Sequence, residues 1–137
     1  MVSLFHGTQT DNIDTLEPRN RYVPGGESAP PPAVYATDIP AYAAAHAFPW
    51  STDEGVDLYL EEERVILEVP KILEERLKKP ILIYTVPAQT FTAVTSDAMG
   101  HNFRSTRPVQ CVAKQCFASV TEAVTSLGGV VRIKEAQ

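Results

Sequence analysis

The sequence predicts an α+β domain, and three observations predict it. Short apolar runs of strand length recur along the chain, short segments of helical spacing lie between them, and the two do not alternate as regular βαβ units. With 137 residues, 44% hydrophobic and 21% charged, the chain is expected to form a single domain, 1–137, with room for a buried core. No internal repeat or low-complexity tract interrupts it.

Val2–His6 reads as a first strand, with Val2, Leu4 and His6 on one face and Ser3 and Phe5 on the other. Thr10 or Asp11 then caps a short helix that carries Ile13 and Leu16 inward and ends before Pro18. Pro18–Pro32 is a loop rich in proline, with Gly25 and Gly26, and is read as a lid because it joins two motif segments. Ala33–Thr37 returns to strand. Asp38 and Pro40 then cap and open an alanine-rich helix that runs to about Ala47. Val56–Leu60 and Val65–Val69 are strands about the acidic turn Glu61–Glu63, and Pro70–Lys79 is a helix with Ile72, Leu73 and Leu77 as its apolar side. Ile81–Val86 is the clearest core strand, Phe91–Thr95 its expected partner after Pro87, and Asp97 a turn residue before Met99 and Gly100. Val109–Lys114 is a further strand, Ser119–Glu122 a capping box for a helix to Gly128, and Val130–Ile133 a last strand.

Composition and motifs narrow the chemistry. A net charge of −5 and scattered basic residues argue against a nucleic-acid backbone as the main partner. Ile81–Val86, the longest apolar run, is too short to span a bilayer, and Met1–Thr8 lacks the pattern of a signal peptide. Cys111 and Cys116, in and just past the expected strand Val109–Lys114, point to opposite faces if it continues that far, and are read as buried thiols of a reducing cytoplasm. There is no phosphate-binding glycine loop and no nucleophile turn, and His6, His46 and His101 lack metal-ligand spacing, so no metal is expected.

Two segments remain. In Leu4-Phe5-His6-Gly7-Thr8 a strand ends in a histidine beside a glycine, which offers an imidazole and an approachable backbone to a planar amide or a ribose. In Val34-Tyr35-Ala36-Thr37 a tyrosine supplies a flat face on a neighbouring strand. Taken singly, His6 is a strand-end histidine satisfied by backbone groups, Tyr35 a core tyrosine and His46 a packing residue.

Together and in this order, these segments resemble the ADP-ribosyltransferases, specifically the diphtheria-toxin-like branch with its His-Tyr-Glu triad. The resemblance covers Leu4–Ala47, and Ile81–Ile133 by strand order alone. It implies an ADP-ribosyltransferase-like fold of two small packed antiparallel sheets with flanking short helices, and NAD as a substrate without a metal. It also implies that His6, Gly7 and Thr8 hold the ribose and carboxamide, that Tyr35 stacks on the nicotinamide, and that His46 takes the place of a second aromatic. The helix offers no serine at Tyr42–Ala45, and the late strand carries Gln110 where the family has its catalytic glutamate. A neutral amide can orient a ribose but cannot stabilise a ribosyl cation by charge. Two readings follow: a mono-ADP-ribosyltransferase acting on a protein or nucleic-acid acceptor, or a catalytically inactive binding module on the same fold. A phosphotransferase acting on RNA ends is disfavoured by the acidic balance and the lack of paired arginines.

Overall fold

The computed structural model describes residues 3–18, 33–50, 53–93 and 101–135. In chain order its elements are β1 (Ser3–Thr8), β2 (Thr15–Leu16), β3 (Val34–Thr37), α1 (Pro40–His46), β4 (Asp57–Glu61) and β5 (Arg64–Pro70). A 3₁₀ helix, Lys71–Lys78, leads to β6 (Ile81–Pro87), β7 (Thr92–Ala93), β8 (Asn102–Ser105), β9 (Val109–Gln110), β10 (Ala113–Phe117), α2 (Val120–Ser126) and β11 (Val130–Lys134). The described strands make an antiparallel six-stranded sheet of order β10-β6-β1-β3-β8-β7, a three-stranded sheet β11-β5-β4 and a two-stranded ribbon β2-β9. The architecture is mixed α+β, as expected. The expected pair of antiparallel sheets is corrected on two counts: the described residues form three sheets, and β11 runs parallel to β5.

Within the six-stranded sheet β6 is buried on both faces, which is why it reads as an unbroken apolar run rather than an alternating one. Ile81 and Ile83 of β6 join a large cluster with α1, α2 and β5 on one side. Val86 joins Leu4, Leu16, Val34, Ala36 and Val109 on the other. Leu4 and Phe5 thus fall on opposite faces of β1, as the alternation in the sequence implies. Each buried valine, leucine or isoleucine among them contributes about 1.5–3 kcal/mol, whereas an exposed ion pair such as Lys78–Glu75 contributes little. The two clusters therefore hold the sheet.

β4 and β5 form a hairpin in which Glu61 opposes Arg64. Its two turn residues, Glu62 and Glu63, both have positive φ, 52° and 67°, matching a turn whose twist suits flanking strands. α2 starts at Ser119, whose side chain accepts from the Glu122 amide at 3.0 Å, while the Glu122 carboxylate reaches the Ala118 amide at 3.2 Å.

Several expectations are overturned. No helix forms after Thr10: the segment is extended, Asn12 has φ 61°, and Thr15 and Leu16 pair with Gln110 and Val109. Three-residue spacing of Ile13 and Leu16 imitates a helix, but pairing to β9 decides the matter. Asp38 does not cap α1; the N-cap is Ile39 without a side-chain bond, and Asp38 pairs with His101 at 2.9 Å. Pro70–Lys79 does hold a helix, of 3₁₀ type over Lys71–Lys78, but Ile72 is 89% exposed and only Leu73 and Leu77 are buried. The strand expected over Val109–Lys114 breaks into β9 and β10. Cys111 is half-buried and Cys116 exposed, both as free thiols, so the second is not the buried group expected. β8 is an addition. Most of the Pro18–Pro32 loop, residues 94 and 95 of the Phe91–Thr95 strand and the Asp97 turn lie outside the described residues. Among the described residues no helix is long and apolar enough to cross a membrane.

Candidate functional site

β1 pairs with β6 along all six of its residues, from Ser3 opposite Pro87 to Thr8 opposite Leu82. With β3 it shares one register pair, Phe5 opposite Thr37. The two strands then part, and a cleft of about 680 Å³ opens beside their ends. Small-molecule sites commonly occupy about 300–1,000 Å³.

His6, Gly7 and Thr8 line this cleft from β1, Tyr35 from β3 and His46 from α1. The structure therefore brings together five of the six residues singled out from the sequence. His6 Nδ1 lies 2.7 Å from the Tyr35 carbonyl oxygen. A carbonyl only accepts, so Nδ1 carries the hydrogen, and in the neutral ring Nε2 is then the acceptor. The imidazole closes the gap where the β1–β3 ladder ends and fixes its own tautomer in doing so. The Thr8 hydroxyl accepts from the Thr10 amide at 3.2 Å and starts the turn out of the strand.

Gly7 has a packing role that the sequence did not reveal. A Cβ built on it would stand 1.8 Å from the Ala43 carbonyl oxygen. The alanines of α1, with Ala43, Ala44 and Ala45 at most 1% exposed, let the helix backbone lie directly on β1 at this glycine. That contact carries His46 to the cleft. Its ring meets the edge of Tyr42 at 4.5 Å and stacks on Trp50 at 6.0 Å, forming a short aromatic row.

The opposite wall is the extended segment through β2. It is anchored by Tyr84, which is 1% exposed on β6. The Tyr84 hydroxyl donates to the Thr10 carbonyl at 3.0 Å and accepts from the Ile13 amide at 3.2 Å. The Cys111 amide donates to the Asp14 carbonyl at 2.8 Å. Asp11 and Lys114 form an ion pair at 2.7 Å, and this bond holds the Asp11 carboxyl below its ordinary pKa. Asp14 and Glu17 line the cleft from this wall, and Asn102 from β8. Sequence reasoning missed all three. The only signal for the two acids was the largely polar stretch between Thr10 and Glu17.

Gln110 is not among the residues lining the cleft. It is exposed on β9 opposite Thr15, one strand behind the wall. The position expected to hold the catalytic group is thus set apart from His6 and Tyr35, and the carboxylates that do reach the cleft come from the β2 wall.

No family model, curated protein or solved structure matches the chain. The site is accordingly argued from its geometry. No lysine or arginine is among the described residues lining the cleft, whereas two carboxylates are. The field of these described residues favours a cationic or neutral group over a phosphate. Among the described residues no three histidine, cysteine or acidic side chains stand together to hold a metal ion.

Proposed function

We propose that the cleft binds the nicotinamide-riboside end of NAD, and that the domain acts as a mono-ADP-ribosyltransferase. One observation carries the reading: His6 and Tyr35, named as a pair from the sequence, flank one cleft and are joined by a hydrogen bond. The acidic wall supports the orientation, since the nicotinamide of NAD is a cation and its departure leaves positive charge on the ribose. In this pose a ribose hydroxyl donates to His6 Nε2 and the nicotinamide stacks on Tyr35, with the diphosphate directed away from the two carboxylates. A second reading, a module that binds NAD without turning it over, is favoured by the placement of Gln110 outside the cleft.

Calorimetric titration tests the site. NAD is expected to bind more tightly than ADP-ribose, which lacks the cationic ring. His6→Ala and Tyr35→Ala each lose about 1–3 kcal/mol, or roughly five- to 150-fold in affinity. Gln110→Ala stays within about twofold of the parent, a change of a few tenths of a kcal/mol. Equal affinities across the variants, or no preference for NAD over ADP-ribose, would refute the proposed site.

A further inference from the structure

Adjoining the cleft is a second, more open cavity of about 330 Å³, lined by Cys111, Val112, Ala113 and Lys114. Asn12, Ile13 and Asp14 line both cavities. The two therefore adjoin along Asn12–Asp14, a segment held by the Tyr84 hydroxyl at Thr10 and Ile13 and by the Cys111 amide at Asp14. Among the described residues Asp14 is the one carboxylate lining both cavities.

The chemistry of the second cavity is restricted. The Lys114 ammonium is engaged with Asp11 at 2.7 Å, which leaves Asp14 as the unbalanced charge. Burial, and then the Asp14 charge, push the Cys111 thiol above its ordinary pKa, so it stays protonated and is a poor nucleophile. That coupling also sets the Asp14 carboxylate within electrostatic reach of the second cavity. The space accommodates a side chain or a small alcohol, and the lining lacks an aromatic platform for a base.

We propose that the second cavity is the acceptor site for a neutral hydroxyl-bearing nucleophile, and that Asp14 is the catalytic base shared by the two cavities. The inference rests on NAD occupying the first cleft. The C1′–N bond of NAD breaks, and its electron pair leaves with the nicotinamide nitrogen, neutralising the pyridinium. The acceptor oxygen forms the new C1′–O bond, and its proton passes to the Asp14 carboxylate and then to solvent. The products are nicotinamide, the O-linked ADP-riboside and one proton. With water as acceptor the same step is hydrolysis.

The test uses NAD with glycerol as the alcohol probe, following nicotinamide release and the ratio of glyceryl ADP-riboside to ADP-ribose. Asp14→Asn, checked for folding by circular dichroism, is expected to keep NAD affinity within about threefold while nicotinamide release falls roughly 10²- to 10⁴-fold, the usual worth of a positioned base. Val112→Trp places a large ring in the second cavity at a position already 65% exposed, and is expected to cut the glyceryl product ratio about tenfold or more by occupying that space. Turnover by Asp14→Asn at the parent rate, a larger loss on Glu17→Gln than on Asp14→Asn, or an unchanged product ratio in Val112→Trp would each overturn the proposal. Parent protein that binds NAD through His6 and Tyr35 but releases no nicotinamide would overturn it too, leaving the binding site in place. Failure of the parent to bind NAD removes both readings.

Discussion

A methyl group on Gly7 would have to displace the Ala43 carbonyl, because the two would stand 1.8 Å apart. Both are backbone or backbone-proximal atoms, so no side-chain rotation relieves the clash. Gly7→Ala is expected to push α1 off β1 and destabilise the fold by about 1–3 kcal/mol or more, the range for overpacking a close contact. Urea denaturation reads the change as a lower midpoint with an unaltered slope. At this scale the sequence was informative about which residues matter and less so about why. His6 and Tyr35 were legible as a polar and an aromatic group at strand ends, and both reached the cleft. Gly7 was legible as a glycine, but its contact partner lies on a helix that only the tertiary structure brings near. Asp14 and Glu17 carried no local signature: an acid in a polar stretch is ordinarily solvated, and its place on the cleft follows from pairing of Thr15 with Gln110, far along the chain.

Elements differ in how far their own residues determine them. Ile81–Pro87 and the alanine-rich α1 were recognisable because continuous burial and proline punctuation leave a local mark. β8 was missed because His101-Asn102-Phe103-Arg104-Ser105 is polar, and the burial that defines it comes from its neighbours β3 and β7. β2 was taken for a helix for the same reason in reverse. Its conformation is imposed from outside, by β9 and by the Tyr84 hydroxyl. Tyr84→Phe removes that hydroxyl and leaves the Thr10 carbonyl and Ile13 amide without their partner, a loss of about 1 kcal/mol. The expected effect on turnover is larger than the effect on stability, because the Asn12–Asp14 segment shared by the two cavities loses one of its anchors. Thermal denaturation and nicotinamide release, measured on the same variant, separate the two.

On the scale of the whole molecule, the two walls of the cleft belong to parts of very different depth. β1 is interior to the six-stranded sheet, bonded to β6 on one side and β3 on the other, so it opens only when the sheet does. The β2–β9 ribbon has two register pairs, Thr15 with Gln110 and Leu16 with Val109, and little else of the ladder to hold it. Local opening of so small a unit costs far less than global unfolding. A ligand spanning both walls therefore acts as a staple between a fast-exchanging unit and a slow one. At a concentration of about 100 Kd it adds about 2.7 kcal/mol to any opening that releases it. The amides of Ile13 and Cys111 are expected to slow by roughly 100-fold in hydrogen exchange with saturating NAD, while exposed amides such as that of Ile72 keep their rate. Unequal depth of the two walls thus turns the ribbon into a reporter, so that occupancy of the site can be read from the exchange of two backbone hydrogens without following the reaction at all.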